Sequence, residues 1–360
     1  MNRIETGNIE KVLIRGTNWV GDAVISIPAM REIRRLFPKA RISLLVRPWV
    51  RDIYAAAEFV DEILEYDKAG KHRGLSGFCR LVLQLRNHRY DLAFLLQNAF
   101  EAALIAWSAG IPRRIGYARD GRSLLLTHAC PINPEVHSVH QAYYYLDILS
   151  NLGLLQPRLW SQSGHSISIN LKIRDEDRCT ARKIFRSMGI RENEIVVGIN
   201  PGAFYGEAKR WFPDRYAAVA DNLASRYKAR IVLFGASNDV RTAEQVAAGM
   251  RHASIMLAGQ TTLGQLMGLM QECSLFITND SGPMHLAAAL NVPQLALFGS
   301  TSEVATGPLS PKAVVIKHAV PCNPCFLKEC PTDFACMKGI TVERVSNAAE
   351  KILDTVSNQN

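Results

Sequence analysis

The chain has 360 residues, 48% of them hydrophobic and 21% charged, so it can bury a sizeable core and is not intrinsically disordered. Its length favours two domains, because a domain usually spans roughly 100–200 residues. With 42 Lys and Arg against 33 Asp and Glu, the formal charge is +9, which suggests a polyanionic partner. No apolar run reaches the ~18 residues that cross a bilayer, and no apolar segment precedes the first predicted strand, so we expect a soluble, cytosolic protein without a secretory peptide.

The positive charge is concentrated in the first half. Residues 1–170 carry 21 Lys and Arg against 15 Asp and Glu, a net charge of +6, and the remainder has a net charge of +3. Arg31, Arg34 and Arg35 fit the solvated face of an amphipathic helix. Arg119 and Arg122 lie in the segment GIPRRIGYARDGR, which reads as a loop. This second cluster is therefore the better candidate for an anion site.

Apolar, β-rich runs alternate with amphipathic segments of helical length, a pattern typical of α/β proteins with parallel sheets. In the first half we predict strands at Val12–Arg15, Arg41–Val46 and Leu92–Leu96. We predict helices at Ala23–Phe37, after Leu96 through Ala109, and at His140–Leu152. Gly153 is placed to end the last of these helices. Residues 155–175 are polar, contain Pro and Gly and lack a helical period, so we predict a linker there.

The same alternation restarts after the linker. We predict strands at Ile195–Asn200, Ala229–Phe234, Ser254–Leu257, Leu275–Thr278 and Gln294–Phe298, and helices at Asp214–Tyr227, Val240–Arg251, Leu263–Cys273 and Pro283–Leu290. Two Rossmann-like units in tandem account for this order. In such sheets, ligands bind where the carboxyl ends of the strands lead into helices.

The first strand leads into the segment VLIRGTNWVGDAVISIPAM, in which Gly16 and Gly21 flank a loop. This loop lacks the Gly-Lys-Ser/Thr of a Walker motif and the GxGxxG dinucleotide fingerprint, which weakens NTPase and NAD-dehydrogenase interpretations. Asp22 stands at the start of the following helix. Its position fits either an N-cap or a general base, and spacing alone does not distinguish them.

The second domain opens with VVGINPGAFYGEAKRWFPDRY. Gly202 lies in a turn of small residues after a strand, where backbone N–H groups can approach a phosphate. Lys209 adds a compact positive charge to this loop. The alternative is that Lys209 is an ordinary solvated lysine.

The third motif is LFITNDSGPMHLAAALNVPQLALFGST. Its strand delivers Asp280, Ser281 and Gly282 to the N-terminus of a helix, a position that favours an anion such as a diphosphate. His285 follows in the first turns of that helix. A single helical histidine is usually structural, but here several polar groups converge at one strand end.

Three segments, GTNWVGDAVISIPAM, GAFYGEAKRWFP and TNDSGPMHLAAALNVPQLALFGST, resemble glycosyltransferase family 9, the heptosyltransferases of lipopolysaccharide core assembly. The resemblance covers nearly the whole chain. It implies a GT-B fold, with two Rossmann-like parallel-sheet domains facing a cleft. Residues 1–170 would bind the acceptor and 171–345 the nucleotide sugar, followed by a C-terminal helix and tail at 346–360. The NWVGD loop and the Cys-rich tail are similar to members that add the second heptose.

The resemblance also implies the chemistry. L-glycero-D-manno-heptose would be transferred, with inversion, from ADP-heptose to the heptosylated Kdo-lipid A core. This acceptor is phosphorylated and lies at the cytoplasmic face of the inner membrane. The resemblance implies that the reaction requires no metal. Asp22 matches the general base, and Lys209 matches the lysine that contacts the donor diphosphate. The remaining expected donor contacts are Gly202, Asp280, Ser281, Gly282 and His285, and the expected acceptor contacts are Asn18, Gly21, Arg119 and Arg122.

Four of the eight cysteines cluster as C-x2-C-x4-C-x5-C, at Cys322, Cys325, Cys330 and Cys336. Such a set could hold zinc or an iron–sulfur cluster. The spacing matches neither the common ferredoxin run nor a zinc ribbon, and structural disulfides are disfavoured in the cytosol. A metal centre is therefore possible but not favoured, and the resemblance to family members with similar tails implies a structural loop.

Other functions remain as alternatives. Within the family, the enzyme could add the first or the third heptose, and a GT-B nucleotide-sugar epimerase is more remote. A nucleic-acid-binding protein would explain the charge, but the sequence lacks a basic stripe with stacking aromatics or a recognisable module. A nucleotide- or metal-cluster-binding protein would leave Asp22, Lys209 and Asp280 unexplained.

Overall fold

The computed structural model describes residues 6–155 and 167–357. The chain divides into two compact units between Ile169 and Asn170. Most of the predicted linker, at 156–166, lies outside the described residues, and 167–174 form neither helix nor strand. Among the helices described, none is both long and apolar enough to cross a membrane.

The first unit is built on a six-stranded sheet within its described residues, with all neighbouring strands parallel. Its strands are β1 (Lys11–Arg15), β2 (Arg41–Val46), β3 (Glu62–Glu65), β4 (Leu92–Leu95), β5 (Arg113–Tyr117) and β6 (His128–Cys130). Its α-helices are α1 (Val20–Ile25), α2 (Ile27–Leu36), α3 (Gly74–His88), α4 (Phe100–Ser108) and α5 (Ala142–Asn151).

The predicted helix at Ala23–Phe37 is divided in two at Ser26. Pro28 is the second residue of α2 and has no N–H to continue the hydrogen bonding of the preceding turn. The Ser26 hydroxyl instead donates to the Ala23 carbonyl at 2.9 Å. This break ends α1 as a short helix that carries Asp22 in its first turn.

The segment GIPRRIGYARDGR was wrongly predicted to be a loop throughout. Arg113–Tyr117 forms β5, which pairs with β4. The Arg114 side chain donates to the Leu125 carbonyl at 2.6 Å, so it supports the fold locally. Strands β3 and β6 and helix α3 were not predicted.

The second unit also has a six-stranded parallel sheet within its described residues. Its strands are β7 (Val196–Asn200), β8 (Arg230–Leu233), β9 (Ser254–Met256), β10 (Leu275–Asn279), β11 (Gln294–Phe298) and β12 (Ala313–Lys317). Its helices are α6 (Asp175–Ser187), α7 (Pro213–Tyr227), α8 (Val240–Gly249), α9 (Leu263–Gln271), α10 (Gly282–Ala289), α11 (Glu303–Thr306), α12 (Ala335–Lys338) and α13 (Val342–Ser357).

Every element predicted between residues 195 and 298 is present, with bounds within two residues. The core of this unit packs helices α7 and α13 on the sheet around Trp211 and Tyr216, both almost fully buried. The Trp211 indole donates to the Ile340 carbonyl at 3.0 Å, which ties the segment before α13 to this core.

The two sheets share one strand order. The first runs β3-β2-β1-β4-β5-β6 and the second, read from β9, runs β9-β8-β7-β10-β11-β12. This is the doubly wound Rossmann order, in which the strand order reverses between the first and fourth strands of the unit, all strands remaining parallel. Ligands bind in such folds at that switch point, at the carboxyl ends of the strands. The loops after β1 and β4, and after β7 and β10, are therefore where functional residues are expected.

Candidate functional site

Asp22 lies at the carboxyl edge of the first sheet, on the helix that follows β1. Trp19 is the residue that caps this helix, so the alternative that Asp22 is an N-cap is wrong. The Asp22 carboxylate accepts a hydrogen bond from the Gln141 side-chain amide at 3.5 Å. Burial, and then the negative charge of Asp22, raise the pKa of Tyr145 well above its ordinary value. A carboxylate in the first turn also interacts favourably with the helix dipole.

Two of the predicted acceptor residues belong to the same loop and helix start. The Asn18 side-chain oxygen accepts from the Arg15 guanidinium at 2.8 Å, and the Asn18 carbonyl accepts from the Trp49 indole at 2.7 Å. Gly21 is the second residue of α1. The structure thus brings Asn18 and Gly21 together with Asp22.

The other two predicted acceptor residues differ in accessibility. Arg122 is fully buried, and its guanidinium donates to the Tyr117 carbonyl and the Asn98 side-chain oxygen, both at 2.9 Å. Arg119 is exposed and pairs with Asp120 at 3.5 Å. We keep Arg119 in the acceptor hypothesis and withdraw Arg122, because direct contact with an acceptor needs an accessible guanidinium.

A charged cluster at the same edge of the sheet was missed by the sequence analysis. Arg47, which follows β2, lies 4.1 Å from the centre of the Tyr66 ring. Glu101, at the start of α4, accepts from the Tyr66 hydroxyl at 2.8 Å and from Lys68 at 2.7 Å. Burial, and then the charge of Arg47, lower the pKa of Arg15 to about 10. Three cations around one carboxylate leave excess positive charge, which suits an anionic ligand.

In the second unit, Lys209 and Asp280 form an ion pair at the switch point. The Lys209 ammonium lies 2.6 Å from Asp280 Oδ2, and their side chains are 13% and 3% exposed. Thr301 and Thr306 donate to the same oxygen at 2.6 and 3.4 Å. The Lys209 charge also lies 5.0 Å from the centre of the Tyr205 ring. The interpretation of Lys209 as a solvated lysine is therefore wrong.

Ser281 is the residue that precedes α10, and Gly282 is the first residue of the helix. The Ser281 side chain makes no capping bond and instead contacts the Thr278 hydroxyl at 3.2 Å. The first N–H groups of α10 are thus not capped by Ser281. His285 follows one turn later and is buried.

The structure gives a second reason for a glycine at position 202, besides the approach of backbone N–H groups to a phosphate that the sequence suggested. A Cβ at this position would lie 2.1 Å from the Asp239 carboxyl carbon, so a larger residue would require the Asp239 side chain to move. Arg210 lies 3.8 Å from Asp239 and donates to the Ala203 carbonyl. Asp239 and Arg210 are therefore further polar residues beside the loop that carries Lys209, and neither was predicted.

The four clustered cysteines are free thiols. Among the described residues, no group of three or more potential ligands is arranged to bind a metal ion. Burial raises the pKa of Cys336, and the other three thiols lie close enough to raise it further.

The Cys-rich segment packs against both loops that surround Asp280. The Ala208 N–H donates to the Lys328 carbonyl at 3.0 Å, and the Tyr205 hydroxyl donates to the Phe326 carbonyl at 2.8 Å. The Phe326 N–H donates to the Ser300 carbonyl at 2.8 Å. This segment therefore supports the loop that carries Lys209 and the loop that carries Thr301.

Comparison with known proteins identifies the class. Residues 78–335 match the family described as glycosyltransferase family 9 (heptosyltransferase). The chain is 34% identical to lipooligosaccharide heptosyltransferase 2 of Haemophilus ducreyi, over 85% of this chain and 88% of that protein.

Two solved structures agree with this match. ADP-heptose lps heptosyltransferase II of E. coli is 28% identical with a TM-score of 0.79, over 96% of this chain and 99% of that one. A family 9 glycosyltransferase from Veillonella parvula is 26% identical with a TM-score of 0.84, over 98% and 99%. The fold is that of the GT-B glycosyltransferases, as expected. The chain belongs to glycosyltransferase family 9.

Proposed function

We propose that this enzyme transfers L-glycero-D-manno-heptose from ADP-heptose to the heptosylated Kdo-lipid A inner core of lipopolysaccharide. The observation that carries the proposal is the extent of the similarity to proteins named heptosyltransferase 2, which covers 85% of the chain at 34% identity. The similar E. coli structure is named for ADP-heptose, which favours this nucleotide sugar as the donor.

The second unit is the proposed donor site. Lys209 and the N-terminus of α10, at Gly282, would contact the diphosphate, because both supply positive charge at the switch point. The Asp280 carboxylate holds the Lys209 ammonium at 2.6 Å. Ser281, Gly202 and His285 complete the proposed set. His285 is buried, so its proposed part is to pack beneath the donor segment.

The first unit is the proposed acceptor site, with Asp22 as general base and Asn18, Gly21 and Arg119 beside it. Asp22 would take the proton from an acceptor heptose hydroxyl as that oxygen forms a bond to the anomeric carbon of the donor. The bond from this carbon to the diphosphate breaks, ADP leaves with the bonding electron pair, and the configuration inverts. Lys209 and α10 would stabilise the charge that grows on the leaving ADP.

We infer that the transfer requires no metal, because the ammonium of Lys209 and the helix N-terminus supply positive charge to the diphosphate. The Cys-rich segment is then a structural support for the donor loops. Metal analysis of protein purified under reducing conditions tests whether the Cys-rich segment is a structural support without a metal. A stoichiometric metal that is lost on substitution of Cys322 would contradict it.

We also propose that the enzyme acts at the cytoplasmic face of the inner membrane. The net charge of +6 on residues 1–170 favours association with a phosphorylated glycolipid. Flotation with vesicles that contain anionic lipid should recover the protein, and neutral vesicles should not.

Thermal unfolding with nucleotides tests the donor assignment. ADP should raise the melting temperature, whereas UDP, GDP and NAD at the same concentration should not. Stabilisation by NAD alone would overturn the proposal. Acceptors that carry no heptose, one heptose or two heptoses then distinguish addition of the first, second or third residue.

A further inference from the structure

A cavity of about 440 Å³ lies at the amino end of the first sheet. Lys11 is the first residue of β1 and Arg41 the first residue of β2, and the two are neighbours across this parallel pair. Gln84 and Asn87, near the end of α3, line the cavity together with them. Asp22 follows the opposite, carboxyl end of β1, so the cavity lies outside the site proposed for heptose transfer.

One buried hydroxyl in the cavity wall lacks a partner. Tyr90 lines the cavity and is 4% exposed, and no hydrogen bond of acceptable geometry joins its hydroxyl to any described residue. Burial raises the pKa of Tyr90 to about 12, and the neighbouring Ser43 hydroxyl opposes this rise. Ser43 donates its own proton to Glu62 at 3.1 Å. The Tyr90 hydroxyl therefore keeps its proton, and a buried donor of this kind is costly unless a bound group accepts from it.

Two cations line the cavity, and their charge is not fully compensated. The Lys11 ammonium donates to the His88 carbonyl at 3.0 Å and forms no ion pair within the described part of the chain. That bond also covers a carbonyl at the end of α3, which would otherwise repel an anion. Arg41 lies 3.4 Å from Glu62 with its side chain 62% exposed, so this pair is weak. The Asp91 carboxylate is already bonded by two backbone N–H groups at 2.9 Å. An ammonium and a guanidinium placed in this way suit a phosphate group.

The rest of the lining suits the hydroxyls of a sugar. Gln84 and Asn87 are three residues apart on α3, so their amides lie on one face of the helix. A side-chain amide both donates and accepts, as a sugar hydroxyl does. The rings of His88 and Tyr90 stack with centres 5.4 Å apart and planes 3° from parallel, which fixes the direction of the Tyr90 hydroxyl. The volume of the cavity lies within the range of small-molecule sites.

We propose that this cavity binds a small phosphorylated sugar. Lys11 and Arg41 bind the phosphate. The amides of Gln84 and Asn87 bind sugar hydroxyls, and a further sugar oxygen accepts from the Tyr90 hydroxyl that the protein leaves unpaired. The inference does not depend on the residues proposed for heptose transfer.

Isothermal titration calorimetry of the full chain with glucose 6-phosphate tests the proposal. Saturating ADP is present throughout, so that the proposed donor site is occupied. We expect saturable binding, and we expect glucose and inorganic phosphate, titrated separately, to bind about tenfold more weakly, because each engages only part of the site. Absence of glucose 6-phosphate binding would overturn the proposal. Inorganic phosphate that binds as tightly as glucose 6-phosphate would overturn the assignment of a sugar.

Three variants test whether binding occurs in this cavity. Lys11→Met should weaken glucose 6-phosphate binding by about tenfold, because a charged hydrogen bond is lost, and Tyr90→Phe should weaken it by about fivefold. Lys183→Met is the matched control, because it removes an exposed ammonium from α6 of the second unit, and it should bind as wild type does.

Equal affinity in wild type, Lys11→Met and Tyr90→Phe would show that the sugar binds elsewhere and would overturn the inference. Should the Lys11 or Tyr90 variant fail to fold, Asn87→Ala carries the test, because Asn87 is exposed and its replacement leaves the core intact. Unchanged affinity in Asn87→Ala would then be the contradicting result.

Discussion

Replacement of Lys209 by methionine tests the donor site most sharply. The variant keeps the length of the side chain and removes its charge. It also leaves Asp280, 3% exposed, with the hydroxyls of Thr301 and Thr306 as its side-chain partners among the described residues. Removal of one member of a buried ion pair costs about 3–5 kcal/mol at most, so a lower melting temperature is expected.

The effect on the reaction is separate from that loss of stability. A hydrogen bond to a charged group contributes about 1.5–3 kcal/mol, so the missing contact with the diphosphate should lower kcat/KM for the donor by roughly 10- to 150-fold. The assay is ADP release at saturating acceptor with varied ADP-heptose. In the double variant Lys209→Met/Asp280→Asn, stability should recover in part while donor use stays impaired.

Lys328→Met is the matched control. The Lys328 ammonium lies 5.8 Å from the centre of the same Tyr205 ring that Lys209 contacts at 5.0 Å. Its charge is not paired with Asp280, so its loss should leave donor kcat/KM within about twofold of wild type. An unchanged donor kcat/KM in Lys209→Met would refute the reasoning.

Three further predictions concern support of the sites. In Gly206→Ala, a Cβ would lie 2.2 Å from the Lys328 carbonyl oxygen, so the loop must shift and the donor KM should rise by about tenfold in steady-state kinetics. Arg122→Met should lower the free energy of unfolding by about 2–4 kcal/mol in a denaturant titration, because buried oxygens lose their donors, whereas Arg119→Met should alter only the acceptor KM. Burial opposes the ionisation of Asp221, but hydrogen bonds from backbone N–H groups and His252 lower its pKa to about 2. The wild-type protein should therefore lose about 2 kcal/mol of stability as the pH falls from about 4 to 2. The Asp221→Asn variant should lack this pH dependence.

The sign of the last effect follows from the lowered pKa of the folded state. The unfolded state binds the proton first as pH falls, so the stabilisation is present above pH 4 and disappears below it. Equal pH dependence in wild type and Asp221→Asn would contradict this account. A donor KM that is unchanged in Gly206→Ala, or an Arg122→Met protein as stable as wild type, would contradict the other two.

The buried strands of both sheets were predictable, because parallel strands covered on both faces form continuous apolar runs. Strand β11 (Gln294–Phe298) is such a run, and its bounds were predicted without error. Strand β3 (Glu62–Glu65) was missed because it lies at the edge of its sheet, is four residues long and has a glutamate at each end. Its signal is that of a polar loop.

The candidate site was predictable only where its residues share one motif. Asp280, Ser281 and Gly282 are consecutive, so one strand–helix junction reveals them. The hydrogen bond between Gln141 and Asp22 joins residues far apart in sequence, and periodicity does not report such a pairing. Arg122 was misinterpreted for the same reason, because its burial depends on contacts with Tyr117, at the end of β5, and with Asn98, which follows β4.

The central claim is that heptose passes from ADP-heptose to a heptosylated core acceptor. Mass spectrometry of the glycolipid product, after incubation of the purified enzyme with ADP-heptose and each acceptor, tests it most directly. The account predicts one added heptose on Kdo-lipid A that already carries one, with an equal amount of ADP released. Addition only to an acceptor without heptose, or no addition to any of them, would contradict it.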